Sequence, residues 1–162
     1  MFQATLIICA LLSVGVAVFD TPVTIDDNFV FSCLDSIPQP SEPLQLSGHW
    51  NVEYFGSSLP VYIAVPDRSP LILFTVNSSD EIQGYLLSCT DNGTVTDSML
   101  VYYWNSEGFE SQIATVNTSG RIAVTTYRDY GTDETNLFNF NEDGSFTPVN
   151  SSEPPANGSL EN

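Results

Sequence analysis

The chain has 162 residues, and its 20 acidic side chains against three arginines and no lysine give a formal net charge of −17 at pH 7. Phosphate backbones and anionic headgroups repel so acidic a chain, which argues against nucleic-acid binding and peripheral membrane binding. The single histidine, His49, has no assignable triad partners, and a zinc site would need more ligands. We therefore expect a protein that is not an enzyme and has neither a cofactor nor a metal site.

Residues 1–17 are typical of a secretory signal peptide. Leu6 to Val18 is an apolar run too short to span a bilayer, and it ends in small residues at the alternating positions that signal peptidase prefers. No later segment has 18 consecutive apolar residues. We predict cleavage after Ala17 and a secreted, extracellular protein without a membrane span.

Glycosylation acceptors and cysteines fit that compartment. In an oxidising environment Cys33 and Cys89, left after cleavage, form an even pair. We expect a Cys33–Cys89 disulfide, which closes a loop of about 56 residues. By restricting the unfolded chain, it raises the free energy of unfolding by roughly 4 kcal/mol. Unpaired or intermolecular thiols are the alternative. Asn-x-Ser/Thr acceptors, which ordinary loop composition also produces, occur at Asn77, Asn92, Asn117, Asn150 and Asn157.

Composition divides the remaining chain into three parts. Residues 18–47 contain four prolines, whose fixed φ and missing N–H favour extended or loop structure, so we expect an extended N-terminal arm. Residues 48–147 follow an apolar period of two and form the predicted β domain. Residues 148–162, rich in Pro, Ser, Asn and Glu, are expected to be a disordered tail.

Turn-forming residues cut the β domain into short strands, which predicts an all-β antiparallel meander. A meander of about eight strands can protect its edge strands by closing into a small barrel or, alternatively, by folding into a β-sandwich. One-sided alternation at 49–55 favours the barrel, whereas 95–104 is apolar on both faces, which indicates a covered wall or a partner surface. The candidate strands are 49–55, 60–66, 71–77, 82–90, 95–104, 109–116, 121–128 and 134–140, with a short ninth at 145–149.

Cys33 precedes a proline-containing arm and then Gly48-His49-Trp50, with the tryptophan about seventeen residues after the cysteine. This pattern resembles the lipocalins, extracellular eight-stranded barrels that carry small hydrophobic ligands. Two alignments of the later chain remain open. Residues 124–130, Val-Thr-Thr-Tyr-Arg-Asp-Tyr, are similar to the family's Thr-Asp-Tyr segment, whereas residues 84–89, Gly-Tyr-Leu-Leu-Ser-Cys, are similar to its cysteine-bearing strand.

The resemblance implies a divergent or shortened barrel that carries a small hydrophobic ligand. It also implies that Trp50 packs at the closed end on an arginine from a late strand, for which Arg121 and Arg128 are candidates. The inward candidates for the ligand wall, each with core packing as its alternative role, are Tyr54, Tyr62, Phe74, Tyr85, Tyr102 and Trp104.

Two other functions remain open. The same β domain can act as an extracellular protein-interaction or adhesion module with a solid core. Alternatively, inward acidic residues can capture cationic amines. The candidates for that role are Glu53, Glu81 and Glu110.

Overall fold

The computed structural model describes residues 17–36, 47–48, 58–90 and 94–149; residues 36, 47–48 and 58–60 are described by their backbone alone. The all-β prediction is confirmed, because strands dominate these ranges. The elements in chain order are β1 (Val18–Asp20), β2 (Val23–Ile25), α1 (Asp27–Ser36), β3 (Ser47–Gly48), β4 (Ser58–Ala64), β5 (Leu71–Asn77), β6 (Glu81–Cys89), β7 (Thr94–Asn105), β8 (Glu110–Val116), β9 (Arg121–Arg128), β10 (Glu134–Phe140) and β11 (Phe146–Pro148).

Turn chemistry sets the strand ends where the sequence predicts them. Strands β5, β9 and β10 have the predicted bounds, and β4, β6, β7, β8 and β11 differ by at most two residues at either end. Between β8 and β9 the chain reverses through Gly120, whose φ of 79° favours glycine. The predicted strand 49–55 lies outside the described residues.

The strands form one mixed sheet in the order β1-β4-β5-β6-β7-β8-β9-β10-β11. Neighbours from β4 to β11 are antiparallel, whereas β1 runs parallel to β4 and β3 runs parallel to β7. Among the described strands, the two ends of this order, β1 and β11, do not pair with each other. The meander is therefore observed, and its closure into a barrel is not.

The N-terminal segment joins two distant parts of the sheet. β1 pairs with β4, and only two residues later β2 pairs antiparallel with β8. β7 and β8 pair at Tyr103 and Gln112, and β2 lies beside β8 further along, opposite residues 114–116. β2 thus replaces β7 as the neighbour of β8 along residues 114–116.

Helix α1 lies inside the segment that we expect to be extended, so that expectation is wrong for residues 27–36. The prolines of this segment flank the helix instead of interrupting it. At its start the Asp26 Oδ1 accepts a hydrogen bond from the Phe29 N–H at 2.9 Å, which is an N-cap. Val30 and Cys33, three residues apart on one face, are buried in the core.

The described strands β4 to β6 are apolar on both faces. One face joins the main core, which also contains the inner sides of β2, α1 and β7 to β10 and includes Ile25, Val30, Ile63, Leu86, Ile122 and Phe140. The opposite face carries a second cluster, which we call the aromatic cluster. Its buried members are Tyr62, Ile72, Phe74, Leu87 and Val95, with Val18, Val76, Tyr85 and Cys89 at its margin.

A β-bulge explains why 95–104 is apolar on both faces. The register shifts between Gly84, which faces Tyr102, and Tyr85, which faces Leu100, so Val101 is the extra residue. Val101 and Tyr102, successive along the chain, are therefore both fully buried in the main core. Strict alternation from the sequence wrongly places them on opposite faces.

No helix among the described residues has the length and apolar character needed to cross a membrane.

Replacing Gly84 by alanine should destabilise the sheet beneath Tyr102. A Cβ on Gly84 would lie 2.9 Å from the Tyr102 Cβ, which cannot move away without moving the strand. Such overpacking lowers the free energy of unfolding by about 1–3 kcal/mol, measurable by urea denaturation. As a matched control, a Cβ on Gly131 meets only ordinary contacts at 3.6 Å, so Gly131→Ala should leave stability within about 0.5 kcal/mol. Equal effects of the two substitutions would contradict the close packing at Gly84.

Candidate functional site

The predicted ligand wall does not come together on one surface. Tyr62, Phe74 and Tyr85 belong to the aromatic cluster, whereas Tyr102 and Trp104 belong to the main core and its margin. The two groups lie on opposite faces of the sheet, since neighbouring residues such as Tyr62 and Ile63 point into different clusters. Tyr54 lies outside the described residues.

Within the aromatic cluster, two hydroxyl groups stand among apolar side chains. Phe74 is fully buried and Tyr62 nearly so, while Tyr85 is half-buried and its hydroxyl donates to Gln83 Oε1 at 2.7 Å. Burial raises the pKa of Tyr62 and of Tyr85, and the nearby Cys89 adds to the rise for Tyr62. The cluster is thus a neutral, largely buried group of aromatic and aliphatic side chains that contains two tyrosine hydroxyls.

Tyr102 contacts other residues of the chain and is not available to a ligand. Its ring is fully buried, and its hydroxyl donates to the Asp27 Oδ1 in the first turn of α1 at 2.9 Å. Burial is the main cause that raises the pKa of Tyr102, and the Asp27 carboxylate adds to it. The hydrogen bond fastens α1 to β7, which is a structural role.

Trp104 packs at the junction of helix and sheet. Its ring meets that of Phe31 from α1 edge to face, with centroids 5.9 Å apart. Trp104 is half-buried and Phe31 is exposed, so this aromatic pair lies at the margin of the main core. The contact accounts for Trp104 without a ligand.

The two candidate arginines lie at opposite ends of β9. Arg128 forms ion pairs with Glu110 at 2.9 Å and Glu134 at 3.6 Å, all exposed, whereas Arg121 begins the strand. Only one of them can therefore reach any single closed end. Trp50, the expected stacking partner, lies outside the described residues.

The acidic candidates for amine capture have partners within the chain. Glu110 is paired with Arg128, and Glu81 accepts a hydrogen bond from the Tyr103 hydroxyl at 3.0 Å. Glu53 lies outside the described residues. The two described carboxylates thus do not form an inward-facing acidic site.

The predicted Cys33–Cys89 disulfide is not present in the structure, where both thiols are free. Cys33 is buried in α1 against the main core, whereas Cys89 ends β6 at the margin of the aromatic cluster. The two residues therefore lie on opposite sides of the sheet. Burial raises the pKa of both thiols, which favours the unreactive protonated form.

Two of the predicted glycosylation acceptors are described. Asn77 ends β5, and Asn117 lies in the turn from β8 to β9. The Asn117 Oδ1 accepts hydrogen bonds from the Ser119 N–H, the Ser119 hydroxyl and the Arg121 N–H. Its Nδ2, the atom that would carry a glycan, takes no part in these bonds. Asn92, Asn150 and Asn157 lie outside the described residues.

Sequence reasoning missed a surface that we call the outer face. It is the side of β2, β8, β9 and β10 turned away from the main core. It carries no carboxylate, and its one charged side chain among these strands is Arg121 at the start of β9. Hydroxyl groups meet across strands at Thr24–Thr115 (3.4 Å) and Thr125–Thr135 (2.9 Å). The signal for it is the threonine and serine at alternate positions. The members are Thr24, Ser111, Ile113, Thr115, Ala123, Thr125, Tyr127, Thr135 and Leu137, with Arg121 and Asn139 at the margin, all exposed or half-buried.

Comparison with known proteins finds no protein-family model, no curated protein and no solved structure that matches this chain. The lipocalin relationship therefore stays a hypothesis carried by the motif at 33–50. Of that motif, Cys33 lies in α1 and Gly48 ends β3, whereas His49 and Trp50 lie outside the described residues.

Thiol counting tests the cysteine assignment. In the protein beginning at Val18, denaturation without reductant should expose both thiols to alkylation, and Cys33→Ser or Cys89→Ser should each leave one. In the native state the half-buried Cys89 should react faster than the buried Cys33. Mass spectrometry counts the adducts. A protein that takes up no label until it is reduced would show that the disulfide exists.

The bond from Tyr102 to Asp27 predicts an alkaline limit to stability. Because the folded-state pKa of Tyr102 lies above that of an unfolded tyrosine near ~10, its contribution is complete below that pH and decreases as pH rises beyond it. Tyr102→Phe should cost about 1–2 kcal/mol at neutral pH and show a shallower loss above pH ~10. Urea denaturation from neutral to alkaline pH measures both. Parallel curves for the two proteins would refute the role given to this hydroxyl.

Proposed function

We propose that this protein is a secreted extracellular interaction module, a β domain with a solid core that acts through its surface. The observation that carries this proposal is the separation of the predicted ligand wall onto two faces of the sheet. Tyr102 and Trp104 are further occupied by contacts to α1. These side chains are better explained as core than as the lining of one cavity.

The exposed outer face is a second observation that supports the interaction module. Tyr127 and Leu137 are 41% and 37% exposed, respectively, on a face without carboxylates. Protein contact surfaces are depleted of charge at their centre and enriched in aromatic residues. A sheet face without carboxylates on a chain with net charge −17 therefore fits a contact surface.

A second candidate is the carrier function in a closed lipocalin-like barrel, and the aromatic cluster is the observation that favours it. Tyr62, Phe74 and Tyr85 pack on one face and present hydroxyl groups beside apolar rings. Such a combination suits a small hydrophobic ligand with one polar group. In this version the ligand lies against the aromatic cluster, and Tyr102 and Trp104 remain core.

Ligand titration separates the two functions. Native mass spectrometry of the secreted protein, and tryptophan fluorescence during titration with fatty acids, retinoids and biogenic amines, should show neither a retained ligand nor saturable quenching. Tyr85→Leu probes the aromatic cluster, and Tyr130→Leu at an 88% exposed position is its matched control. Saturable quenching that Tyr85→Leu weakens and Tyr130→Leu preserves would establish the carrier and reject the interaction module.

A further inference from the structure

Resting on the proposed function, we infer that the outer face is a self-association surface whose partner is a second copy of this chain. Two copies pair through their outer faces in a weak dimer with two-fold symmetry.

Charge is sorted by side on β8, β9 and β10. Glu110, Arg128 and Glu134 occupy positions of the inward-facing register, where they pair with one another at the end of the sheet. The outward positions of the same strands hold threonine, serine, alanine, isoleucine, leucine and tyrosine from residue 111 to 115, 123 to 127 and 135 to 137. Apart from Arg121 at its margin, the outward side of these three adjacent strands is thus uncharged.

The lack of carboxylates on the outer face favours an acidic partner over a basic one. A basic partner gains affinity from carboxylates in the contact, and the outer face has none. A second copy, itself at net charge −17, is repelled least where neither surface carries a carboxylate. Arg121, exposed at the start of β9 on the outward side, offers a cation to a carboxylate of the other copy.

An exposed sheet face can pack against a second sheet. Two sheets stack with their strands aligned within about 30°, and a two-fold axis brings the same patch of both copies together. Threonine hydroxyls buried in such a contact keep a partner, because Thr125 and Thr135 already bond across the strands at 2.9 Å. Ile113 and Leu137 supply the apolar part.

The area predicts a weak dimer. Four strands spaced about 4.8 Å apart, each with about five residues at ~3.4 Å, cover roughly 300–350 Å² in projection. Stable complexes bury about 800 Å² on each partner, so the contact belongs to the weak class. We expect a dissociation constant between about 10 μM and 1 mM.

Analytical ultracentrifugation of the full secreted protein at increasing concentration tests the inference. The dimer fraction should rise with concentration, and raising the salt from about 20 mM to 500 mM should tighten association at least ~3-fold, because salt screens the repulsion between two acidic chains. Leu137→Glu and Thr115→Glu should each abolish the dimer. Tyr130→Glu, which adds the same charge at an exposed position off the outer face, should weaken it only slightly.

Three results would overturn the inference: a monomer at every concentration, association that salt weakens, or equal dimerisation by the outer-face variants and the wild type. Circular dichroism confirms that each variant is folded before it is scored. The ligand titration keeps the two proposals distinguishable. Saturable ligand binding with dimerisation through Leu137 rejects only the interaction module, whereas a ligand-free monomer rejects only the self-association.

Discussion

The rest of the structure depends on the bridge that residues 18–36 make between β4 and β8. Two short strands and one helix follow each other within this segment, and each contributes to the same main core. Ile25 and Val30 are almost completely buried there, and the Tyr102 hydroxyl fastens the helix to β7 through Asp27. Side chains of residues 18–36 thereby fill part of the main core, which the strands of the sheet share.

This filling decides how the aromatic residues should be understood. An aromatic side chain in a β domain can line a cavity or complete a core, and its neighbours distinguish the two. Tyr102 donates to a carboxylate of α1 and Trp104 meets Phe31 of the same helix. Binding is then left to parts of the protein outside the main core, namely the buried aromatic cluster and the exposed outer face.

Much of the strand pattern was predictable because local chemistry determines it. Turn residues such as Gly120 and period-two alternation give the bounds of β5, β9 and β10. Helix α1 was missed because four prolines dominate the composition of its segment, although a capping Asp26 precedes it. The burial of Val101 beside Tyr102 depends on a bulge that alternation cannot reveal.

The site was less predictable, since it depends on long-range placement. Pairing Cys33 with Cys89 follows from counting, but only the fold shows that they belong to opposite sides of the sheet. The run at 71–74 is apolar throughout and therefore does not indicate which of its residues face the main core. Thr24 joins the outer face only because β2 pairs with β8, which local sequence does not reveal.

Hydrogen exchange at β2 tests the central claim, that the N-terminal segment is an integral part of the fold and fills its interior. The backbone amides of Val23–Ile25 that pair with β8 should exchange only through global unfolding, as slowly as the amides of β9. Fast exchange of the β2 amides, with β8 and β9 still protected, would contradict the claim and would leave the interior open to a ligand.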